Sequence, residues 1–162
     1  MPVNQRHVKT TIETLLLRAS SDVRVRTRKK FPGPRSVGGK FSMGSRMITL
    51  YLQEIEEQCF QLFGSLRSAD DYFTIILAHE IGHAHDPLLE QLSDELDCCP
   101  EPLAAAQLAL RIEQNAWNYA AELIPEVDRF LFEKIVECSL EAYYERIQQE
   151  VSIASGELEV IA

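Results

Sequence analysis

Asp70-Asp-Tyr-Phe-Thr-Ile-Ile-Leu-Ala-His-Glu-Ile-Gly-His-Ala-His-Asp-Pro87 is the most informative stretch of this chain. Phe73, Leu77, Ile81 and Ala84 recur at helical spacing and form a core stripe. Ser68 or Asp71 can cap the start, and Pro87 restricts Asp86, so the spacing predicts a helix over 71–85. Inside it His79 and His83 stand four residues apart, about one turn, so both imidazoles leave the same face and can bind one ion. Glu80 lies about 100° further around the axis, from where its carboxylate can reach a water in an open coordination position. Neutral imidazoles plus a carboxylate, with water in the fourth position, suit zinc.

Two imidazoles leave a third protein ligand to be found. A metzincin would carry glycine at position 86 and histidine at 89, where this chain has Asp86 and Leu89, so that pattern is excluded. The segment 103–123 reads as a helix with an apolar face of Ala106, Leu110, Trp117 and Ala120, and Glu113 falls in the middle of it. An unpaired buried carboxylate costs several kcal/mol or neutralises itself, so that placement calls for a cation. Glu122 is the rival third ligand, although its position nine residues on turns it away from the Glu113 stripe. Gly82 and Ala116 are small enough to let the two helices approach and share an ion.

Leu77-Ala-His-Glu-Ile-Gly-His-Ala, followed by Glu113-Gln-Asn-Ala-Trp-Asn-Tyr-Ala-Ala-Glu-Leu-Ile-Pro125, resembles the ImmA/IrrE family of zinc metallopeptidases over about residues 70–125. The resemblance implies a gluzincin-like site, with metal ligands on His79, His83 and Glu113 and the general base on Glu80. It also implies hydrolysis of peptide bonds, with a helix-turn-helix repressor or another regulatory protein as substrate. Asn115 stands where many members have Glu, and Trp117 where many have Asn. No helix-turn-helix is evident on this chain, so the repressor substrate rests on family analogy.

Around this centre the chain reads as a single α+β domain, residues 1–162, of the zincin type. A small N-terminal sheet is expected to pack on the metal helix, with a helical second half completing the cleft. A first helix is expected around 5–19. Val23, Val25 and Thr27 alternate with Arg24, Arg26 and Arg28 as in a half-exposed strand, and short strands are expected near 39–43 and 47–52. Further helices are expected at 53–64 and 126–150, with a weakly specified tail from Val151. Gly33–Lys40 is not a phosphate loop, because Phe41 follows Lys40 and Pro34 takes an obligatory glycine position.

Charge is unevenly spread: residues 1–46 hold eleven Lys/Arg against two Asp/Glu, and residues 47–162 hold five against twenty-three. The basic segment is expected to neutralise the acidic body of the same domain, since it lacks the aromatic residues that stack on bases. The acidic body suggests a preference for a basic substrate segment. No run approaches the roughly 20 apolar residues of a membrane span. Four irregularly spaced cysteines (Cys59, Cys98, Cys99, Cys138) do not form a disulfide framework, and a cytoplasmic setting is expected. Cys98-Cys99 sits among acidic residues and reads as loop structure. His85, Tyr119, Tyr143 and Tyr144 are the candidates for holding the oxyanion. Two readings stand beside the peptidase: a zinc-binding protein that sequesters a partner without cutting it, and a nucleic-acid binder using residues 18–46.

Overall fold

The alternating arginines form an edge strand whose charged side chains stay in solvent. In a computed structural model describing residues 3–161, with side chains described to residue 156, β1 (Arg24–Arg28) alternates exposed and half-buried positions. It pairs in parallel with β3 (Met47–Tyr51), Val25 opposite Ile48 and Thr27 opposite Leu50. On the other side of β3 lies β2 (Gly39–Ser42), antiparallel to it and joined to it by a tight hairpin, giving the order β1-β3-β2. Burial follows that order. The central strand places Ile48, Thr49, Leu50 and Tyr51 in the core, while the residues of both edge strands are exposed or half-buried.

Among the described residues six helices accompany this sheet, which packs chiefly on one of them, so the protein is α+β and mostly helical. The first, α1 (Gln5–Arg18), is capped by Asn4, whose side chain accepts from the amides of Arg6 and His7. Its far end is tied down by Arg18, which donates to the Leu123 carbonyl at 2.8 Å and to Glu126 at 2.6 Å. Helix α2 (Leu52–Phe63) follows β3 directly and ends on Gly64, whose φ of 73° is the left-handed conformation a helix C-terminus favours.

Helix α3 (Ala69–Ala84) is the axis of the fold. Every residue from Tyr72 to Gly82 is buried, and Phe73, Ile75, Leu77 and Ile81 are wholly so. The stripe expected from periodicity is therefore only one of several contact faces. α1, α2, the sheet and a long later helix all lean on α3, as an all-round apolar helix requires. Ser68 occupies its N-cap without a side-chain capping bond.

Three helices complete the molecule: α4 (Leu89–Asp97), α5 (Pro102–Leu123) and α6 (Arg129–Ile161). The α4 segment carried no element in the sequence reading, although Leu89, Leu92 and Leu96 repeat at helical spacing and Leu92 is almost fully buried. The tail expected to be weakly specified from Val151 instead continues α6 to Ile161. Among the described residues no helix is long and apolar enough to cross a membrane, and Cys59, Cys98, Cys99 and Cys138 are free thiols.

Candidate metal centre

Where α3 crosses α5, no side chain separates the helices. A Cβ placed on Gly82 would fall on the backbone carbonyl of Ala116, with the Ala116 Cα only 3.0 Å away. Ala116 is itself completely buried. This contact brings the one-turn pair His79 and His83 opposite Glu113, which lies one turn before the face that holds Ala116 and Trp117. Glu113 then meets both rings: its Oε2 is 3.0 Å from His79 Nε2, and its Oε1 is 3.3 Å from His83 Nε2.

Glu80 reaches the same cluster from the other side of the first ring. Its Oε1 lies 3.3 Å from His79 Nδ1, and it offers a ligand atom within 4.8 Å of both imidazoles. Both carboxylates therefore border the imidazole pair, but only Glu113 faces the two Nε2 atoms together. His79, Glu80 and His83 thus form a group that could hold an ion, and Glu113 is placed to add a carboxylate oxygen to it. Glu122 is exposed on α5 and takes no part.

Packing fixes the first ring. The Trp117 indole stacks on His79 with centroids 4.1 Å apart and planes 26° apart, and is braced from its edge by Phe132 of α6. Trp117 follows Glu113 by four residues, so one face of α5 supplies both a donor and the platform beneath a histidine. By its spacing Trp117 belongs to the apolar face of α5; the helix crossing decides that this face meets His79. The spacing signal was present, but not the partner.

Electrostatics bind the cluster together. Burial alone would push the His79 imidazolium down, but the carboxylates of Glu113 and Glu80 outweigh it and hold the ring up to about 9. Burial pushes the Glu113 carboxyl up, and the His79 and His83 hydrogen bonds overcome it, holding that group well below the usual carboxylate range. Without a metal the cluster is thus a carboxylate sharing protons with imidazole. His83 Nδ1 is buried with no hydrogen-bond partner, so hydrogen bonding within the protein does not exhaust the cluster's polar capacity.

The cluster fits a metal ion. Donors about 2.0–2.1 Å from a tetrahedral zinc lie roughly 3.3 Å from one another, close to the 3.0 and 3.3 Å separations here. Two nitrogens and one carboxylate are the donor set of a three-ligand catalytic zinc site. Cys98 and Cys99 line no part of the site.

The centre opens into a cleft of about 560 Å³ between the β2 region, α3 and α6. Of the four candidate oxyanion donors only Tyr143 lines it. Burial, then the charge of Glu113, push the Tyr143 phenol above its ordinary value. His85 instead stacks on Tyr119, with centroids 5.5 Å apart, and Tyr144 accepts from Gln114 on the outer surface. Asn115 donates to Asp86 at 3.2 Å and so ties α5 to the segment just after α3. In comparisons with known proteins, no family model, no curated protein and no solved structure matches the chain.

Proposed function

We propose that this protein is a zinc-dependent peptidase with a zincin-like domain of the ImmA/IrrE kind. His79, His83 and Glu113 would hold the metal, and Glu80 would act as general base. The observation that carries this reading is the convergence of both Nε2 atoms on a carboxylate from a separate helix, at the floor of an open cleft. A bound zinc would supply a water acidified from 15.7 to around 7 and would polarise a carbonyl oxygen.

The remaining work falls to side chains. Glu80 accepts the proton released as water adds to the scissile carbonyl and hands it to the departing amine. Tyr143, which lines the same cleft, donates its phenolic hydrogen to the oxygen that gains charge. Trp117 covers one face of His79 and holds the orientation of its ring. Regulatory proteins of the helix-turn-helix class enter as substrates through the family resemblance alone, and a screen of co-encoded DNA-binding proteins tests them.

A second reading, a zinc protein that sequesters a partner without cutting it, is favoured by one contact. Glu80 rests on His79 Nδ1, where it can serve simply to orient the ring. Zinc content and cleavage of a mixed-sequence peptide library, measured for the wild type, Glu80→Gln and Glu113→Ala, separate the two. A peptidase binds about one zinc, retains it in Glu80→Gln while losing cleavage, and loses the metal in Glu113→Ala. Cleavage by a metal-free protein, or zinc that survives Glu113→Ala undiminished, would overturn the assignment.

A further inference from the structure

Two cations stand at the mouth of the cleft with no anion to meet them. Arg35, from the loop between β1 and β2, and Lys40, on β2, both line it. Both are exposed, and among the described residues neither forms an ion pair or a side-chain hydrogen bond. Other exposed Lys and Arg side chains, such as Arg24, Arg28 and Lys30, are likewise without an ion pair among the described residues; what sets Arg35 and Lys40 apart is that they are the Lys and Arg side chains that line the cleft.

The loop carrying Arg35 is held in place from beneath. Glu54 of α2, buried to 5% exposure, accepts from the Phe31 amide at 3.4 Å and from the Ser36 hydroxyl at 3.5 Å. Gln58 of the same helix donates to the Ser36 carbonyl at 3.3 Å and hydroxyl at 3.0 Å. Arg35 is thereby fixed at its backbone and free at its head. Lys40 adjoins Gly39, where a Cβ would come within 3.0 Å of Glu80 Cγ, so its strand runs hard against the metal helix. Charge accounting gives the sign of the cleft. With neutral imidazoles, the carboxylates of Glu80 and Glu113 balance a divalent ion, and the charges of Arg35 and Lys40 remain.

We infer that Arg35 and Lys40 receive an acidic side chain of the bound segment, so that the substrate class is a peptide carrying Asp or Glu beside the bond to be cut. This deepens the peptidase reading and rests on it for the word substrate. It also reverses the preference for a basic segment expected from the overall composition. The field of the whole molecule repels an acidic peptide, and only the local pair at the cleft attracts one.

The test uses the full-length, zinc-loaded protein. A mixed-sequence peptide library, read by mass spectrometry, shows which residues flank the cleaved bonds. In parallel, zinc-loaded Glu80→Gln protein is titrated with fluorescent peptides identical except for Asp or Asn at one position. The expected result is an Asp-over-Asn preference of about fivefold to tenfold in both, the size of one or two solvent-accessible ion pairs. It should collapse to near unity in Arg35→Gln/Lys40→Gln, whose zinc content stays that of the parent. Retained zinc in that variant excludes direct carboxylate–metal contact as the source of the preference. Cleavage with no acidic enrichment, or a preference unchanged in the double variant, overturns the inference and leaves the peptidase reading standing. If nothing is cleaved, the peptidase reading fails and the binding pair decides: an Asp preference lost in the double variant supports an acid-binding cleft, and equal affinities refute it.

Discussion

Glu113 and Tyr143 show how much one side chain's surroundings decide here. A carboxylate on an apolar helix face is costly unless a cation or proton donor meets it, and two imidazoles meet Glu113. Tyr143 is distinguished from three other candidates only by its position on the cleft wall. Its proposed role predicts that Tyr143→Phe lowers kcat by about 10²-fold, the usual cost of one oxyanion donor, with little change in KM. Steady-state kinetics alongside zinc analysis checks this. A fall in metal content, or a rise in KM alone, would mean that the phenol is structural or contacts substrate only in the ground state.

Between helices, the closest dependence is on a missing side chain. Gly82 lets α3 and α5 touch backbone to backbone, and any Cβ there collides with Ala116. Gly82→Ala should therefore destabilise by about 1–3 kcal/mol through overpacking, despite alanine's better helix propensity, and should weaken zinc binding by moving Glu113 away from the rings. Urea unfolding and a competitive zinc titration measure the two effects, and unchanged zinc affinity would show that the crossing distance does not set the site.

A second joint ties α1 to the turn between α5 and α6 through Arg18 and Glu126. The hydrogen bond from Arg18 lowers the Glu126 carboxyl below its ordinary value. A lowered carboxyl contributes stability above its unfolded value near 4.5, and the contribution is lost as pH falls through the folded value. Arg18→Gln should thus cost less than about 1 kcal/mol at neutral pH, because the pair is partly exposed and screened. The deficit should shrink on acidification below pH 4.5, which chemical denaturation at pH 7 and pH 3 would reveal; a deficit that grew in acid would contradict this origin.

For the whole molecule, the core and the proposed metal centre would be separate sources of stability. The core gathers α1, the sheet, α2, α3, α5 and α6 around Phe73, Leu77 and Ile81, and none of those contacts needs an ion. Chelation should therefore leave a folded protein of lower Tm, with zinc at a thousand times its Kd adding back about 4 kcal/mol. Calorimetry with and without chelator tests this, and collapse to an unfolded chain would place the metal in the folding core.

Helix α3 and the shared face of its two imidazoles were legible in the chain because a histidine pair one turn apart is a local relation, settled by the pitch of a helix. Glu113 could be named because a carboxylate on an apolar face is a local contradiction that needs a partner. The three strands were legible from alternation and turns, but α4 was passed over, being short and preceded by Pro87 and Leu88 without a capping side chain. What local relations could not supply was which distant surfaces meet. The burial of α3 on all sides, Trp117 beneath His79, Tyr143 facing the cleft, and Arg35 and Lys40 at its mouth are each made by segments far apart along the chain. Periodicity states which face of an element is apolar; only packing in three dimensions determines what that face touches.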